Sequence, residues 1–189
     1  FSAVGSESGD GAVFLFSKNK GQVWKFLSPG GSSVRALNFT PDSKYIGATT
    51  FGGNAYIFDK DRSSPVAEWK INASLGGVDI ADDGSFIAAG GTDKKLYILN
   101  KDSKSKTEIP FSEYIEEVDI SANGKYIAAG TGGSVYFFEA YLSQDGGKVF
   151  DCSSVIEPPP ESRTMSSFVA ADREHSGAPS KKAGGASLL

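Results

Sequence analysis

One cysteine, Cys152, and one histidine, His175, stand among the 189 residues of this sequence. A lone cysteine excludes an internal disulfide framework and any multi-cysteine metal knuckle, and a lone histidine excludes a multi-histidine metal site. No run approaches the ~18 consecutive apolar residues of a membrane-spanning helix, and no basic-then-apolar leader is present. Neither a G-x-x-x-x-G-K-[ST] phosphate loop nor an H-E-x-x-H zinc helix occurs. Positive charge is in the minority, 19 Lys plus Arg against 23 Asp plus Glu for a net charge of −4, which argues against a nucleic-acid partner. Nothing in the sequence assigns a compartment.

Glycine, by contrast, is plentiful at 23 residues, and hydrophobic residues make up 39% of the chain, enough for a core. Glycine of this kind serves tight turns, which favours many short strands over long helices. An internal repeat organises the chain. The segments PDSKYIGATTFGGNAYIFDKD (41–61), DDGSFIAAGGTDKKLYILNKD (82–102) and ANGKYIAAGTGGSVYFFEA (122–140) align almost without gaps, and FSAVGSESGDGAVFLFSKNK (1–20) is the same unit without its front. The marker aromatics Phe1, Tyr45, Phe86 and Tyr126 are spaced 44, 41 and 40 residues apart. That is the ~40 to 45 residue period of a four-stranded propeller blade.

Each copy divides into the same four pieces. A first strand alternates apolar residues, as in Leu37 and Phe39, Val78 and Ile80, Val118 and Ile120. Asp42-Ser43, Asp83-Gly84 and Asn123-Gly124 then occupy equivalent tight-turn positions, and the Asp-Gly and Asn-Gly pairs suit hairpin turns with positive φ at both central residues. A small-residue second strand follows (Tyr45 to Thr49, Phe86 to Gly90, Tyr126 to Thr131), then an aromatic-rich third (Ala55 to Phe58, Leu96 to Leu99, Val135 to Phe138). The fourth, around Trp24, Trp69 and Ile109, is expected to be short, with Pro110 marking an outer edge. The expected fold is an all-β propeller of about three and a half four-stranded blades, an incomplete ring or a fragment. Its boundaries are a partial blade at 1–33 and blades at 34–74, 75–114 and 115–151. From 152 to 189 the triple proline, serines and cancelling charges read as a disordered tail, with Met165 to Ala171 a weak candidate for one more strand. Removal of everything after residue 151 is expected to leave the melting temperature unchanged.

The repeat resembles WD40-like propellers of the divergent prokaryotic and archaeal kind over roughly residues 1–150. It departs from the eukaryotic pattern: Phe16-Ser17, Phe58-Asp59, Leu99-Asn100 and Phe138-Glu139 stand where a Trp-Asp pair would, and no Gly-His pair occurs. Aromatic packing must therefore replace the histidine-containing network. A weaker resemblance, to quinoprotein-like propellers, rests on Lys20-Gly21-Gln22-Val23-Trp24 and Val66-Ala67-Glu68-Trp69. The first resemblance implies a non-catalytic scaffold or protein-interaction module. The second implies a ligand-sensing or cofactor-binding propeller, in an extracytoplasmic setting.

Two residue sets follow from the layout. Asn38, Asp79 and Asp119 share one position of the first strand and form a candidate oxygen-ligand set for a cation, set against the simpler reading that backbone N–H groups of the next blade satisfy them. Phe51, Asn54, Asp93, Lys94, Tyr114 and Glu116 fall in the loops after second and fourth strands, on one end of a propeller, and form a candidate partner-binding surface. No enzyme and no cofactor are expected. The expected partners are another protein or further blades of the same protein, with homo-oligomerisation through exposed blade edges.

Overall fold

A computed structural model describes residues 1–6, 10–142 and 148–156. The described chain is all β, with fifteen strands and no helix. The strands form four antiparallel sheets in chain order. The first holds β1 (Ser2–Gly5), β2 (Ala12–Ser17) and β3 (Gly21–Leu27); the second holds β4 (Val34–Phe39), β5 (Tyr45–Thr50), β6 (Asn54–Asp59) and β7 (Pro65–Lys70). The third holds β8 (Leu75–Ile80), β9 (Phe86–Gly91), β10 (Lys95–Asn100) and β11 (Lys106–Pro110); the fourth holds β12 (Ile115–Ile120), β13 (Tyr126–Thr131), β14 (Val135–Leu142) and β15 (Lys148–Ile156). Each sheet is a simple meander, and its register superimposes the repeat: Tyr45 lies opposite Asp59, Phe86 opposite Asn100 and Tyr126 opposite Glu139. By the same register β1 corresponds to β5, so among the described residues no strand of the first sheet is equivalent to β4.

Two expectations are corrected here. Fourth strands are not short: β3, β7, β11 and β15 run seven, six, five and nine residues. The last passes the expected boundary at 151 and pairs with β14 as far as Ile156 opposite Val135. The remainder of the tail, including Met165 to Ala171 and His175, lies outside the described residues.

The turns between first and second strands also differ from expectation. Only Ser43, Gly84 and Gly124 have positive φ, at 59°, 68° and 63°. The preceding Asp42, Asp83 and Asn123 instead use their side chains: Oδ1 of each accepts the backbone N–H two residues on, at Lys44, Ser85 and Lys125, each at 2.9 Å. The turn is thus four residues long, closed by Thr40 to Tyr45, Ala81 to Phe86 and Ser121 to Tyr126. Asp and Asn stand there for a local carboxyl or amide acceptor and not for left-handed backbone.

Successive sheets bury their faces against one another. Val13, Leu15 and Trp24 of the first meet Val34, Ile46, Ala48, Tyr56 and Phe58 of the second. Ala55 and Ile57 of the second meet Val78, Ile80, Ile87, Ala89 and Leu99 of the third. Ala88, Leu96 and Ile98 of the third meet Ile115, Val118, Ile127 and Phe138 of the fourth. Small residues set the spacing. A Cβ on Gly5 would fall 2.4 Å from Val34, and one on the equivalent Gly90 would fall 2.7 Å from Ile115, so a β-branched side chain of the next sheet fills the space that glycine leaves. Aromatic clusters close the outer part of two joints: Trp24 and Phe26 with Phe58 at 5.4 and 5.1 Å, and Phe111 with Tyr136 and Phe138 at 4.6 and 5.7 Å. Ring pairs at these separations add about 0.5 to 1.5 kcal/mol each beyond burial.

Candidate functional site

In an antiparallel meander the connections after second and fourth strands emerge at one end. The backbone ties them together there: Phe51 N–H donates to Ser33 C=O, Thr92 N–H to Ser74 C=O, and Phe111 N–H to Lys94 C=O. These bonds hold the connections as fixed turns, and four of the six candidate surface residues sit on them. Phe51, 59% exposed, tops the turn between β5 and β6; Asp93 and Lys94 form the turn between β9 and β10; Tyr114, 50% exposed, lies between β11 and β12. Lys94 takes φ 64°, a conformation that aims its backbone carbonyl back at Phe111. Tyr97 donates its hydroxyl to Asp93, so burial and that carboxylate raise the phenol above its ordinary range. The Glu116 carboxylate beside Tyr114 raises that phenol in the same way.

The other two candidates do not belong to loops. Asn54 opens β6, is buried, and donates Nδ2 to Ser28 Oγ at 3.2 Å, while Ser28 Oγ pairs with the Tyr56 hydroxyl at 2.9 Å. It closes a polar network inside the joint between the first two sheets and offers no surface. Glu116 lies within β12 and is half-buried.

The first-strand set is brought together as a row of hydrogen bonds. Asn38 Nδ2 donates to Asp79 Oδ1 at 2.6 Å, and its own Oδ1 accepts Phe39 N–H at 2.9 Å, which fixes the amide orientation. Asp79 Oδ1 also accepts Ile80 N–H at 2.8 Å, and Oδ2 accepts Ile120 N–H of the following sheet at 2.7 Å. Both carboxylate oxygens are committed to N–H donors, and Asn38 turns a donor toward Asp79 where a cation would need oxygen. The row is an inter-sheet fastening, and the backbone of the next sheet supplies its partner. Burial, with Asp119 close by, pushes the Asp79 carboxyl up to about 6 despite its two backbone donors. Among the described residues no three His, Cys, Asp or Glu side chains converge on a metal-sized site.

Other inter-sheet fastenings went unread in the sequence. Trp24 Nε1 donates to Lys60 C=O at 2.9 Å, and Trp69 Nε1 donates to Lys104 C=O at 3.2 Å, so the fourth strand of one sheet reaches the far hairpin of the next. Lys104 in turn donates Nζ to Val66 C=O at 2.6 Å, and Lys106 pairs with Glu108 at 2.6 Å. Lys104 is therefore engaged with the neighbouring sheet and Lys106 with its own. The signal was present in the matching offset from each tryptophan to the next polar hairpin. Beside the aromatic edge of Ile109, Phe111, Tyr136 and Phe138 a shallow open groove reaches the exposed Cys152, with no charged lining group.

No family model matches this chain, and no curated protein is significantly similar to it. Among the described residues no helix is long and apolar enough to cross a membrane.

Proposed function

We propose that this chain is a run of WD40-like propeller blades acting as a non-catalytic protein-binding scaffold, with the partner docked at the end that carries Phe51, Asp93, Lys94 and Tyr114. The observation that carries the reading is the pair of large aromatics, Phe51 and Tyr114, each at least half exposed on backbone-locked turns at the same end. Exposed aromatics interspersed with charge are the composition of binding surfaces, and turns already fixed by hydrogen bonds lose little entropy on docking. The propeller assignment is supported by the ~40-residue period, the four-stranded meanders and the burial of each sheet face on the next.

The test places a photo-crosslinking amino acid at position 51 and, separately, at position 62 on the opposite end. A discrete crosslinked product from 51, absent from 62 and lost on Tyr114→Ser, is the expected result. Equal labelling from both ends, or a product indifferent to Tyr114, overturns the reading.

A further inference from the structure

Two Asn-x-Ser/Thr triplets occur in the sequence, Asn38-Phe39-Thr40 and Asn72-Ala73-Ser74, and neither has proline in the middle. So short a pattern also arises by chance, and its setting in the fold decides whether it can accept an N-linked oligosaccharide. Transfer to the asparagine amide needs a solvent-facing Nδ2, an uncommitted hydroxyl two residues on, and backbone outside a strand ladder. The first triplet fails on each point. Asn38 lies in β4 opposite Gly47 of β5, with Nδ2 donating to Asp79 Oδ1 at 2.6 Å and Oδ1 accepting Phe39 N–H at 2.9 Å. Thr40 is 1% exposed, its hydroxyl donates to Asp42 Oδ1 at 2.6 Å, and Pro41 follows it. A sugar on Asn38 would part the second sheet from the third.

The second triplet fills the turn between β7 and β8 and meets each need. Asn72 is exposed, and among the described residues neither its amide nor the Ser74 hydroxyl has a hydrogen-bond partner. The turn is pinned at both ends: Ile71 N–H donates to Gly53 C=O at 2.7 Å, and Thr92 N–H donates to Ser74 C=O at 2.9 Å, with Ile71 itself 2% exposed. Gly53, at φ 79°, lets the carbonyls of Ile71 and Ala73 lie against it, since an added Cβ would collide with both. The backbone is thus held by the two neighbouring turns while the Asn72 side chain is held by nothing. A substituent on its Nδ2 breaks no hydrogen bond of the fold, and a bulky, hydrated group belongs where the chain is already at the surface.

We propose that Asn72 is an N-glycosylation site, with a lipid-diphosphate-linked oligosaccharide as the donor. In the transfer Asn72 Nδ2 attacks the anomeric carbon: the C–N bond forms, the bond from that carbon to the diphosphate oxygen breaks, and the lipid diphosphate leaves with the electron pair. One of the two amide protons passes to the transferase, and nothing is oxidised or reduced. The Ser74 hydroxyl is the group that the transferase recognises beside the amide. The site shares an end with Phe51 and Lys94 but does not rest on what docks there, and its test reads attachment alone.

The full chain is expressed behind a cleavable leader in secretory eukaryotic cells, with Asn72→Gln, Ser74→Ala, Ser74→Thr and Asn38→Gln variants beside it. The wild type, recovered without its leader, is expected to carry one oligosaccharide. Peptide N-glycosidase should remove it and leave an aspartate at position 72, which peptide mass spectrometry reads. Asn72→Gln and Ser74→Ala should abolish the modification, Ser74→Thr should keep or raise its occupancy, and Asn38→Gln should leave it unchanged. Glycosylated and enzymatically deglycosylated wild type should melt within about 2 °C of each other, well under the shift expected for a lost core contact. A leader-free wild type without sugar, a sugar that survives Asn72→Gln, attachment at Asn38, or a glycosylated chain that melts several degrees below the bare one overturns the proposal.

Discussion

Asn38 of the second sheet and Asp79 of the third are joined at 2.6 Å, and the same carboxylate accepts Ile120 N–H of the fourth sheet at 2.7 Å, so one side chain fastens three sheets. Asp79 is 2% exposed and lies beside Asp119, and burial is the larger cause of its raised pKa of about 6 against an ordinary 3.8. Between those two values the folded chain binds more protons than the unfolded chain. Stability from this group is therefore fully present below about pH 4 and is lost as pH rises through about 6. Asp79→Asn removes the titration while keeping the size, although its amide turns a donor toward either Asn38 or Ile120. The stability excess of wild type over Asp79→Asn should fall as pH rises from about 4 to about 7, by on the order of 3 kcal/mol at most. Chemical denaturation at several pH values checks this, and parallel profiles for the two proteins would contradict it.

Gly84 meets Tyr45 across the joint between the second and third sheets. A Cβ there would lie 2.2 Å from the Tyr45 ring, and Gly84 φ is +68°. Gly84→Ala should cost about 1 to 2 kcal/mol from the backbone alone, and more from displacing the ring and the Lys101 ammonium above it. In a Tyr45→Ala background only the backbone part should remain, so a double-mutant cycle measures the contact. Ser43, in the same turn position with φ 59°, offers the converse: Ser43→Gly should raise stability by up to about 1 kcal/mol. Thermal melts of the four variants test both signs.

The order of strands could be read from the sequence because the unit repeats in register: Tyr45, Phe86 and Tyr126 each open a second strand, as the spacing implied. What the repeat conveys is the place of a residue within a unit, not which atom of the next unit it meets. Asp79 and Ile120 are 41 residues apart, and only the stacked sheets show that one's carboxylate takes the other's N–H. Dipeptide identity misled at Asp83-Gly84, because an aspartate that accepts a neighbouring N–H and one that adopts left-handed backbone are written alike. Asn54 misled for a related reason: polarity next to a glycine pair reads as a loop, yet its amide is held inside by Ser28 and Tyr56. Phe51 and Tyr114 lie in turns at one end, as expected from the sequence, because turn positions follow directly from strand order.

The tryptophan fastenings differ in burial, and their loss should differ accordingly. Trp24 is 8% exposed, packs on Phe58 at 5.4 Å and donates at 2.9 Å. Trp69 is half-buried and donates at 3.2 Å. Replacing the indole by phenyl keeps most apolar area and deletes the donor, which costs about 1 kcal/mol where the orphaned carbonyl stays dry and less where water reaches it. Trp24→Phe should therefore lower the melting temperature by roughly 2 to 4 °C, and Trp69→Phe by less. Equal shifts would mean that the indole N–H at Trp24 is not shielded from water.

Truncation separates the described end of the fold from what lies past it. β15 runs Lys148–Ile156, and Cys152, Ser154 and Val155 lie opposite Phe138, Phe137 and Tyr136 of β14. A chain ending at residue 151 loses that part of the ladder, so the backbone N–H and C=O groups of β14 that face it must turn to water. Phe138 is 2% exposed and contacts Phe111, so the same cut opens the aromatic cluster of the third joint to solvent. A chain ending at 156 keeps both. The chain cut at 151 should melt several degrees below the chain cut at 156, and bind a hydrophobic dye that the longer chain does not. Identical melting of the two would show that β14 holds its place without the last five residues of β15, and that the fourth sheet draws its stability from the third sheet alone.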